Sequence, residues 1–288
     1  MAILLKGAEV TAALNEKIAR KASELAAAGV TPTLAIVRVG ERADDVAYER
    51  GATKRCAAVG VAVKNYLLPE TVTEEKLIST IEEINRDASI HGVLLFRPLP
   101  KHLNDERVRA ALAPEKDVDG ITDGSLAGVF AGTNTGFPPC TPAACMEILK
   151  YYKVPLKGRK AVVVGRSLVV GKPVAMMLLS QHATVTVCHT RTADMPAVCR
   201  EAEVLVVAAG KPKVVDETYL SEGQIVIDVG INMGDDGKLC GDVNFDAAEP
   251  IVAAITPVPG GVGTVTTSVL AAHVVTAACR AAGVDEAL

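Results

Sequence analysis

Tryptophan is absent from the 288-residue sequence, which has only five tyrosines and four phenylalanines. So few rings leave little for the stacking of nucleic-acid bases. Acidic residues outnumber basic ones by 34 to 30, and no long block of lysine or arginine occurs. We therefore expect no nucleic-acid partner and no binding to an anionic membrane.

Cysteine pairs at metal-binding spacing are also missing. The seven cysteines include no Cys-x-x-Cys, and the closest two, Cys140 and Cys145, have no further Cys or His at zinc spacing. His182, His189 and His273 stand apart, without clustered acidic or cysteine partners. We expect no metal site, and we interpret the cysteines as buried thiols in a reducing compartment.

Long hydrophobic segments are lacking too. The most apolar stretch, 265–279, contains four hydroxyl residues and a histidine. It falls short of the roughly 20 apolar residues that a membrane span needs. The first ten residues, MAILLKGAEV, show no signal-peptide cleavage site. These features predict a cytoplasmic protein without a membrane partner.

Short β-branched runs alternate with helical patterns along nearly the whole chain. Continuous apolar strands separated by helices are typical of parallel sheets covered on both faces. The sequence therefore predicts an α/β fold with two α/β domains around a cleft, where open sheets place their ligands. The candidate strands lie at 33–40, 62–69, 92–100, 161–165, 183–189, 203–210 and 224–230.

A domain boundary is predicted at 132–142, where GTNTGFPPCTP gathers Gly, Pro, Thr and Asn. A second Pro- and Gly-rich segment, TPVPGGVGTVT at 256–266, precedes a helical pattern that runs to the C-terminus. The pattern alone leaves open on which domain this last helix packs.

The segment KAVVVGRSLVVGKP at 160–173 has the pattern of a nucleotide-binding loop. A buried strand ends at Gly165, and Pro173 follows Gly171 where a helix would begin, which suits a helix N-terminus that binds phosphate. The spacing is not G-x-G-x-x-G, so an ordinary strand-to-helix loop stays an equal alternative.

Basic side chains follow both strands of this region. Arg166 comes directly after Gly165, and Thr190 and Arg191 follow the next strand. NAD sites place an acidic residue near the ribose 2′ position, so Thr and Arg favour NADP over NAD. The alternative is that both arginines are solvated surface charges.

Several motifs together resemble the FolD family of methylenetetrahydrofolate dehydrogenase/methenyltetrahydrofolate cyclohydrolases. The resemblance implies a folate-binding domain over 1–140, to which the helix at 265–288 returns, and a Rossmann-like NADP-binding domain over 141–264. It also implies tetrahydrofolate substrates and a homodimer. The motifs are PEKDVDG (114–120), PPCTP (138–142), VVGRSLVVGKP (163–173), IVIDVGIN (225–232), GDV (241–243) and ITPVPGGVG (255–263).

The resemblance assigns roles to individual residues. It implies that Tyr48 and Asp119 are catalytic, Asp119 because a carboxylate matches the two parallel donors on the edge of a pterin. The positions that it implies for NADP are Gly165, Arg166, Ser167, Thr190 and Ile231. Those that it implies for the substrate are Tyr48, Phe96, Arg97, Asp119, Pro259, Gly260 and Gly261.

The chain departs from the family at two polar positions. Relatives carry Tyr-x-x-x-Lys, but the residue four after Tyr48 is Ala52. Their Gln before Leu-Pro-Leu-Pro is replaced by Phe96. Hydride transfer needs mainly orientation, whereas water addition to a methenyl cation needs proton transfer and charge stabilisation. We therefore expect a dehydrogenase with weak or absent cyclohydrolase activity.

Several alternatives remain at this point. A full bifunctional enzyme would need rescue by other basic residues, namely Arg50, Lys54, Arg55 or Arg97. A non-catalytic NADP-binding regulatory protein would also lack the Lys and the Gln. A two-domain amino-acid or shikimate-type dehydrogenase shares the outline but leaves KDVDG and ITPVPGGVG unexplained. Relatives have Pro at the position of Thr264, and the sequence does not indicate what this difference changes.

Overall fold

The computed structural model describes residues Met1–Gly234 and Asp236–Leu288. In its first half the elements are β1 (Ile3–Leu4), α1 (Gly7–Ala27), β2 (Thr33–Val39), α2 (Ala43–Ala58), β3 (Ala62–Leu68), α3 (Glu74–Arg86), β4 (Gly92–Leu95), α4 (Asp105–Ala110), α5 (Asp123–Ala131) and α6 (Cys140–Tyr151). In its second half they are β5 (Lys160–Val164), α7 (Gly171–Ser180), β6 (Thr184–Cys188), α8 (Met195–Arg200), β7 (Val204–Val207), β8 (Ile225–Asp228), β9 (Asn232–Met233), β10 (Leu239–Cys240), α9 (Phe245–Ala248), β11 (Ala254–Ile255) and α10 (Val262–Ala282).

The chain forms two compact units. The first unit comprises Ala12–Cys140 and Thr267–Leu288, and the second comprises Met1–Thr11 and Thr141–Thr266. The first unit therefore begins at Ala12 and not at residue 1 as in the predicted domain 1–140, because residues 1–11 belong to the second unit.

The first unit is built on a parallel sheet with the order β3-β2-β4. Every residue of β2 is buried, as expected for the central strand of a covered parallel sheet. One face of the sheet packs its β2 and β4 side chains on α3, whose Leu77, Ile81 and Ile84 form the apolar stripe of an amphipathic helix. Thr73 caps the start of α3 by accepting a hydrogen bond from the Lys76 N–H.

The second unit contains a parallel sheet with the order β1-β11-β8-β7-β5-β6. Its core is formed by apolar strand residues such as Val162, Leu205 and Val226. The predicted α/β class with a Rossmann-like parallel sheet in the second half is confirmed. Residues 1–11 join this unit because β1 pairs with β11 at the sheet edge, with Ile3 opposite Ala254.

Helix α10 is long and apolar enough to cross a membrane by length and composition, but 67% of its most apolar window is buried within the protein. Such burial is typical of a core helix. The predicted helix 265–288 is shorter in the structure, because α10 ends at Ala282 and Gly283 takes a left-handed φ of 65°.

Candidate active site

The loop between β5 and α7 has the geometry of a phosphate cradle. Gly165 has a φ of 129°, and a Cβ at either Gly165 or Gly171 would collide with a backbone carbonyl. The Ser167 hydroxyl accepts hydrogen bonds from the N–H groups of Val170 (3.1 Å) and Gly171 (3.4 Å). Helix α7 begins at Gly171, with Pro173 in its first turn, and the N–H groups of Gly171 and Lys172 are bonded to the hydroxyl and carbonyl of Ser167. The loop lies at the positive end of the helix dipole, which suits a bound pyrophosphate.

The basic residues predicted for the ribose phosphate lie at neighbouring strand ends. Strands β5 and β6 pair in parallel, with Val164 opposite Cys188. Arg166, Thr190 and Arg191 are exposed just beyond these ends. Within the described chain, neither arginine has a carboxylate within 4.0 Å. Both guanidinium groups are therefore available to an added phosphate.

Residues predicted for cofactor and for substrate meet in one cavity of the second unit. The cavity, of about 170 Å³, is lined by Ile231 after β8 and by the turn Pro259–Gly261 before α10. Ile231 is 64% exposed, although it is a large apolar residue. The turn is fixed by a hydrogen bond from the Gly7 N–H to the Gly260 carbonyl (2.8 Å). An exposed apolar side chain beside this turn suits a flat ring.

Two buried carboxylates, Asp228 and Asp242, hold the loops around this cavity, and the sequence alone indicated no role for either. Asp228 accepts hydrogen bonds from the N–H groups of Gly230 (2.9 Å), Asp242 (3.0 Å) and Val243 (2.9 Å). Burial raises the pKa of Asp228 to about 6, against the lowering effect of these bonds. The motifs IVIDVGIN and GDV, which contain Asp228 and Asp242, were the available signals, but only the structure shows which loops these carboxylates bind.

Asp242 is the more heavily bonded of the two. It accepts hydrogen bonds from three N–H groups after β7, at Ala209 (2.6 Å), Gly210 (2.8 Å) and Lys211 (3.0 Å). It also accepts one from the side-chain amide of Asn232 (2.9 Å). Asp242 therefore ties the loop after β7 to the strand that follows Ile231.

Asp242→Ala should destabilise the protein strongly. The change leaves several buried N–H groups unsatisfied at about 1–3 kcal/mol each, so we expect a loss of roughly 3–5 kcal/mol in the free energy of unfolding. Urea denaturation would measure it. Asp246→Ala, at an exposed position on α9, is the matched control. Equal stability of both variants would contradict the structural role of Asp242.

In the first unit, Tyr48 and Phe96 pack against each other. Their ring centroids are 5.8 Å apart, with an interplanar angle of 82°. Ala52, one helical turn after Tyr48 on α2, has no solvent exposure. The positions at which the family resemblance implies Lys and Gln thus hold a buried methyl group and a ring.

Two of the four basic residues considered for rescue, Arg97 and Lys54, are bonded elsewhere or exposed. The Arg97 guanidinium donates two hydrogen bonds to Asp105, at 2.6 and 2.5 Å. Helix α2 runs unbroken through Gly51, so Lys54 keeps its place on an exposed side of the helix.

Asp119 lies at the carboxyl end of β4. Val93 forms a parallel bridge with Asp117, and extending this register places Asp119 level with Leu95, next to Phe96. Burial raises the pKa of Asp119 to about 6, a hydrogen bond from Cys140 lowers it, and the charge of Asp117 raises it further. Asp119 therefore changes charge near neutral pH.

Two residues around Asp119 were not predicted as part of the site. The Nδ1–H of His273 donates to the Val118 carbonyl (2.9 Å), and the Cys140 thiol lies 3.4 Å from the same oxygen. Burial lowers the pKa of His273 to about 4, so the ring is neutral at pH 7. The sequence indicated only isolated residues, because Cys140 and His273 are far apart along the chain.

Comparison with known proteins agrees with this geometry. Residues 5–119 match the model of the tetrahydrofolate dehydrogenase/cyclohydrolase catalytic domain, and residues 139–282 match that of its NAD(P)-binding domain. The chain is 54% identical over 279 residues to "Bifunctional protein FolD" from Carboxydothermus hydrogenoformans, covering 96% of this chain and 97% of the relative.

Two solved structures are similar over nearly the whole chain. A bifunctional FolD methylenetetrahydrofolate dehydrogenase/cyclohydrolase from Campylobacter jejuni has a TM-score of 0.94 at 37% identity, covering 97% of this chain and 99% of that one. A FolD from Trypanosoma brucei, complexed with NADP cofactor and inhibitor, has a TM-score of 0.90 at 34% identity, covering 98% of each chain.

Proposed function

Because the chain belongs to the tetrahydrofolate dehydrogenase/cyclohydrolase family, we propose that it is an NADP-dependent 5,10-methylenetetrahydrofolate dehydrogenase. Its product would be 5,10-methenyltetrahydrofolate. The observation that carries the proposal is the phosphate cradle at Gly165–Gly171, with Arg166 and Arg191 at the adjacent strand ends. Membership of this family argues against the alternative of an amino-acid or shikimate-type dehydrogenase.

The residues of the second unit hold the cofactor, which when bound supplies the carbon of the nicotinamide ring that accepts hydride. The Gly165–Gly171 loop before α7 would hold the pyrophosphate. Arg166, Thr190 and Arg191 would bind the 2′-phosphate, and Ile231 would pack on the nicotinamide.

Asp119 holds the pterin of the substrate. Its two oxygens accept parallel hydrogen bonds from the 2-amino group and N3–H. A nitrogen lone pair of the substrate drives hydride departure from the methylene carbon, so no protein acid or base is required. The chain contributes mainly by bringing the reacting carbons together in the correct orientation.

We propose further that methenyl hydrolysis is slow, because Ala52 and Phe96 supply no group that moves a proton or stabilises charge. The second candidate is a full bifunctional enzyme that also forms 10-formyltetrahydrofolate. The names of the relatives support this second candidate better than the first, since similar proteins are called bifunctional.

One experiment separates these candidates. Purified protein is mixed with 5,10-methenyltetrahydrofolate without nucleotide, and loss of the methenyl chromophore is followed. A parallel sample contains 5,10-methylenetetrahydrofolate and NADP⁺. Hydride transfer with only the uncatalysed methenyl loss supports a dehydrogenase alone, and rapid methenyl loss establishes the bifunctional enzyme. Absence of both activities, with NADP⁺ still bound, would indicate a non-catalytic protein.

Arg166→Ala should weaken NADP⁺ binding without weakening NAD⁺ binding. A hydrogen bond to a charged group contributes about 1.5–3 kcal/mol, so the dissociation constant for NADP⁺ should rise roughly 10- to 100-fold. Calorimetric titration with both nucleotides measures this difference. The control is Arg200→Ala, on α8 of the same unit. Equal weakening for both nucleotides would place Arg166 away from the 2′-phosphate.

The pH dependence of folate use should report Asp119. Only the ionised carboxylate accepts both pterin hydrogen bonds, so kcat/KM for the folate should rise with pH up to about 6 and then level off. Below that pH it should fall about tenfold per unit. Since burial also raises the pKa of Asp228 to about 6, Asp119→Asn tests the assignment. An inflection that persists in this variant would contradict it.

We also propose that the protein is a cytoplasmic homodimer, following the resemblance to its family. Light scattering coupled to size-exclusion chromatography would measure the mass. A species near 30 kDa, the mass of one chain, would contradict the dimer.

A further inference from the structure

We propose that a second cavity, within the first unit, binds a small phosphorylated metabolite through Lys116 and His91. The cavity has a volume of about 1030 Å³ and lies where β2 and β4 begin. Asp119 and Phe96 lie where β4 ends. Since β2 spans seven residues, roughly 20 Å separate the amino ends of the strands from their carboxyl ends. The cavity is therefore distinct from the site described above.

Lys116 is a partly buried cation that forms no ion pair with any of the described residues. Its ammonium group donates hydrogen bonds to the carbonyls of Ile84 (2.8 Å) and Asp87 (2.7 Å). No carboxylate of the described residues lies within 4.0 Å of it. Two of its three N–H bonds are thus used, and the third is left for a ligand.

His91 presents a second donor to the same cavity. The residue is only 7% exposed, and its Nδ1 accepts a hydrogen bond from the Thr33 N–H (3.2 Å). Because Nδ1 is an acceptor, the ring proton is on Nε2, and His91 is one of the residues that line the cavity. Burial and then the charge of Lys116 lower the pKa of His91, which keeps the ring neutral. A neutral N–H donor and an ammonium group therefore belong to residues that line the same cavity.

The other charged groups around the cavity are largely compensated. Lys64 pairs with Asp87 (3.2 Å), and Arg280 pairs with Glu286 (2.5 Å). The exposed Glu115, at the rim, adds one negative charge. Of these three cations, Lys116 is thus the one that forms no ion pair with the described residues.

The geometry favours a phosphate over a carboxylate. A planar carboxylate is best matched by a free guanidinium fork, and that of Arg280 is engaged by Glu286. An ammonium group and an imidazole N–H suit a tetrahedral phosphate, on which lysine acts as a point charge. Thr31, Ser89 and Thr135 add hydroxyl groups to the wall, which suits a hydroxylated body such as a sugar.

Calorimetric titration of the full chain with ribose 5-phosphate and with inorganic phosphate tests the proposal. The buffer contains no phosphate, and saturating NADP⁺ fills the loop at Gly165–Gly171. We expect both probes to bind, the sugar phosphate more tightly. Lys116→Met should weaken both at least tenfold, whereas Lys116→Arg should retain binding. Lys17→Met, at an exposed position on α1, is the control and should bind like the unchanged protein.

Three results would overturn the proposal. The first is absence of binding by the unchanged protein at millimolar probe. The second is binding that Lys116→Met leaves intact, which would place the phosphate elsewhere. The third is succinate binding as tightly as phosphate, which would exclude phosphate selectivity. Thermal unfolding of each variant shows that it is folded, and Lys116→Arg covers the case in which Lys116→Met is not.

Discussion

Replacing Ala52 with Lys and Phe96 with Gln together is expected to raise the rate of methenyltetrahydrofolate hydrolysis by a factor of roughly 10²–10⁴. The two changes restore a cation one helical turn after Tyr48 and an amide at the end of β4. A positioned ammonium group can stabilise developing charge and transfer a proton, which neither a methyl group nor a ring can do. Loss of the methenyl chromophore without nucleotide is the measurement.

The expected gain depends on position and not on an added charge alone. Ala58→Lys, at an exposed position on the same helix, should leave hydrolysis unchanged. Because Ala52 has no exposure, the new lysine must run its stem along the buried surface to reach the substrate, and thermal unfolding should show whether the fold accepts it. If the unchanged protein already hydrolyses rapidly and the double variant adds nothing, Ala52 and Phe96 do not limit this step.

Asp119→Asn should lower kcat/KM for methylenetetrahydrofolate by a factor of roughly 10²–10⁴. The variant loses the charge and one of two acceptors, and hydrogen bonds to charged groups contribute about 1.5–3 kcal/mol each. Its amide N–H₂ would also face a pterin N–H, donor against donor. Steady-state kinetics with varied folate at saturating NADP⁺ gives the ratio.

The control for Asp119 is Asp123→Asn. Asp123 lies nearby at the start of α5 with its side chain 87% exposed, where it pairs with Arg109. This variant should keep nearly all activity. Both variants should bind NADP⁺ normally, since the cofactor residues belong to the other unit. A loss of NADP⁺ binding in Asp119→Asn would mean that Asp119 acts on more than the folate.

Most of the regular structure could be predicted because its signals are local. The predicted alternation of helices and strands is present, and the seven candidate strands correspond to β2 to β8 within a few residues at their ends. Strand β1 was not predicted, since two residues carry no periodicity. Its place depends on β11, about 250 residues away, a relation that no local pattern expresses.

The site was predictable where one motif carries it and not where distant segments meet. The loop at Gly165–Gly171 is a continuous segment, so its strand, turn and helix start follow from spacing. Asp242, by contrast, acts through backbone N–H groups of a loop more than 30 residues earlier. Backbone donors have no sequence signature, and such bonds are visible only in the folded chain.

The pairing of β1 with β11 must wait until nearly the whole chain has been synthesised. Ile3 and Leu4 emerge first, but their partners Ala254 and Ile255 are made about 250 residues later. At about 5–20 residues per second, this interval is roughly 12–50 s. During that time the first strand of the sheet has no edge to join, although the strands from β5 to β8 can already assemble. The N-terminal strand is therefore the first part of the second unit to be synthesised and among the last to pair with the sheet.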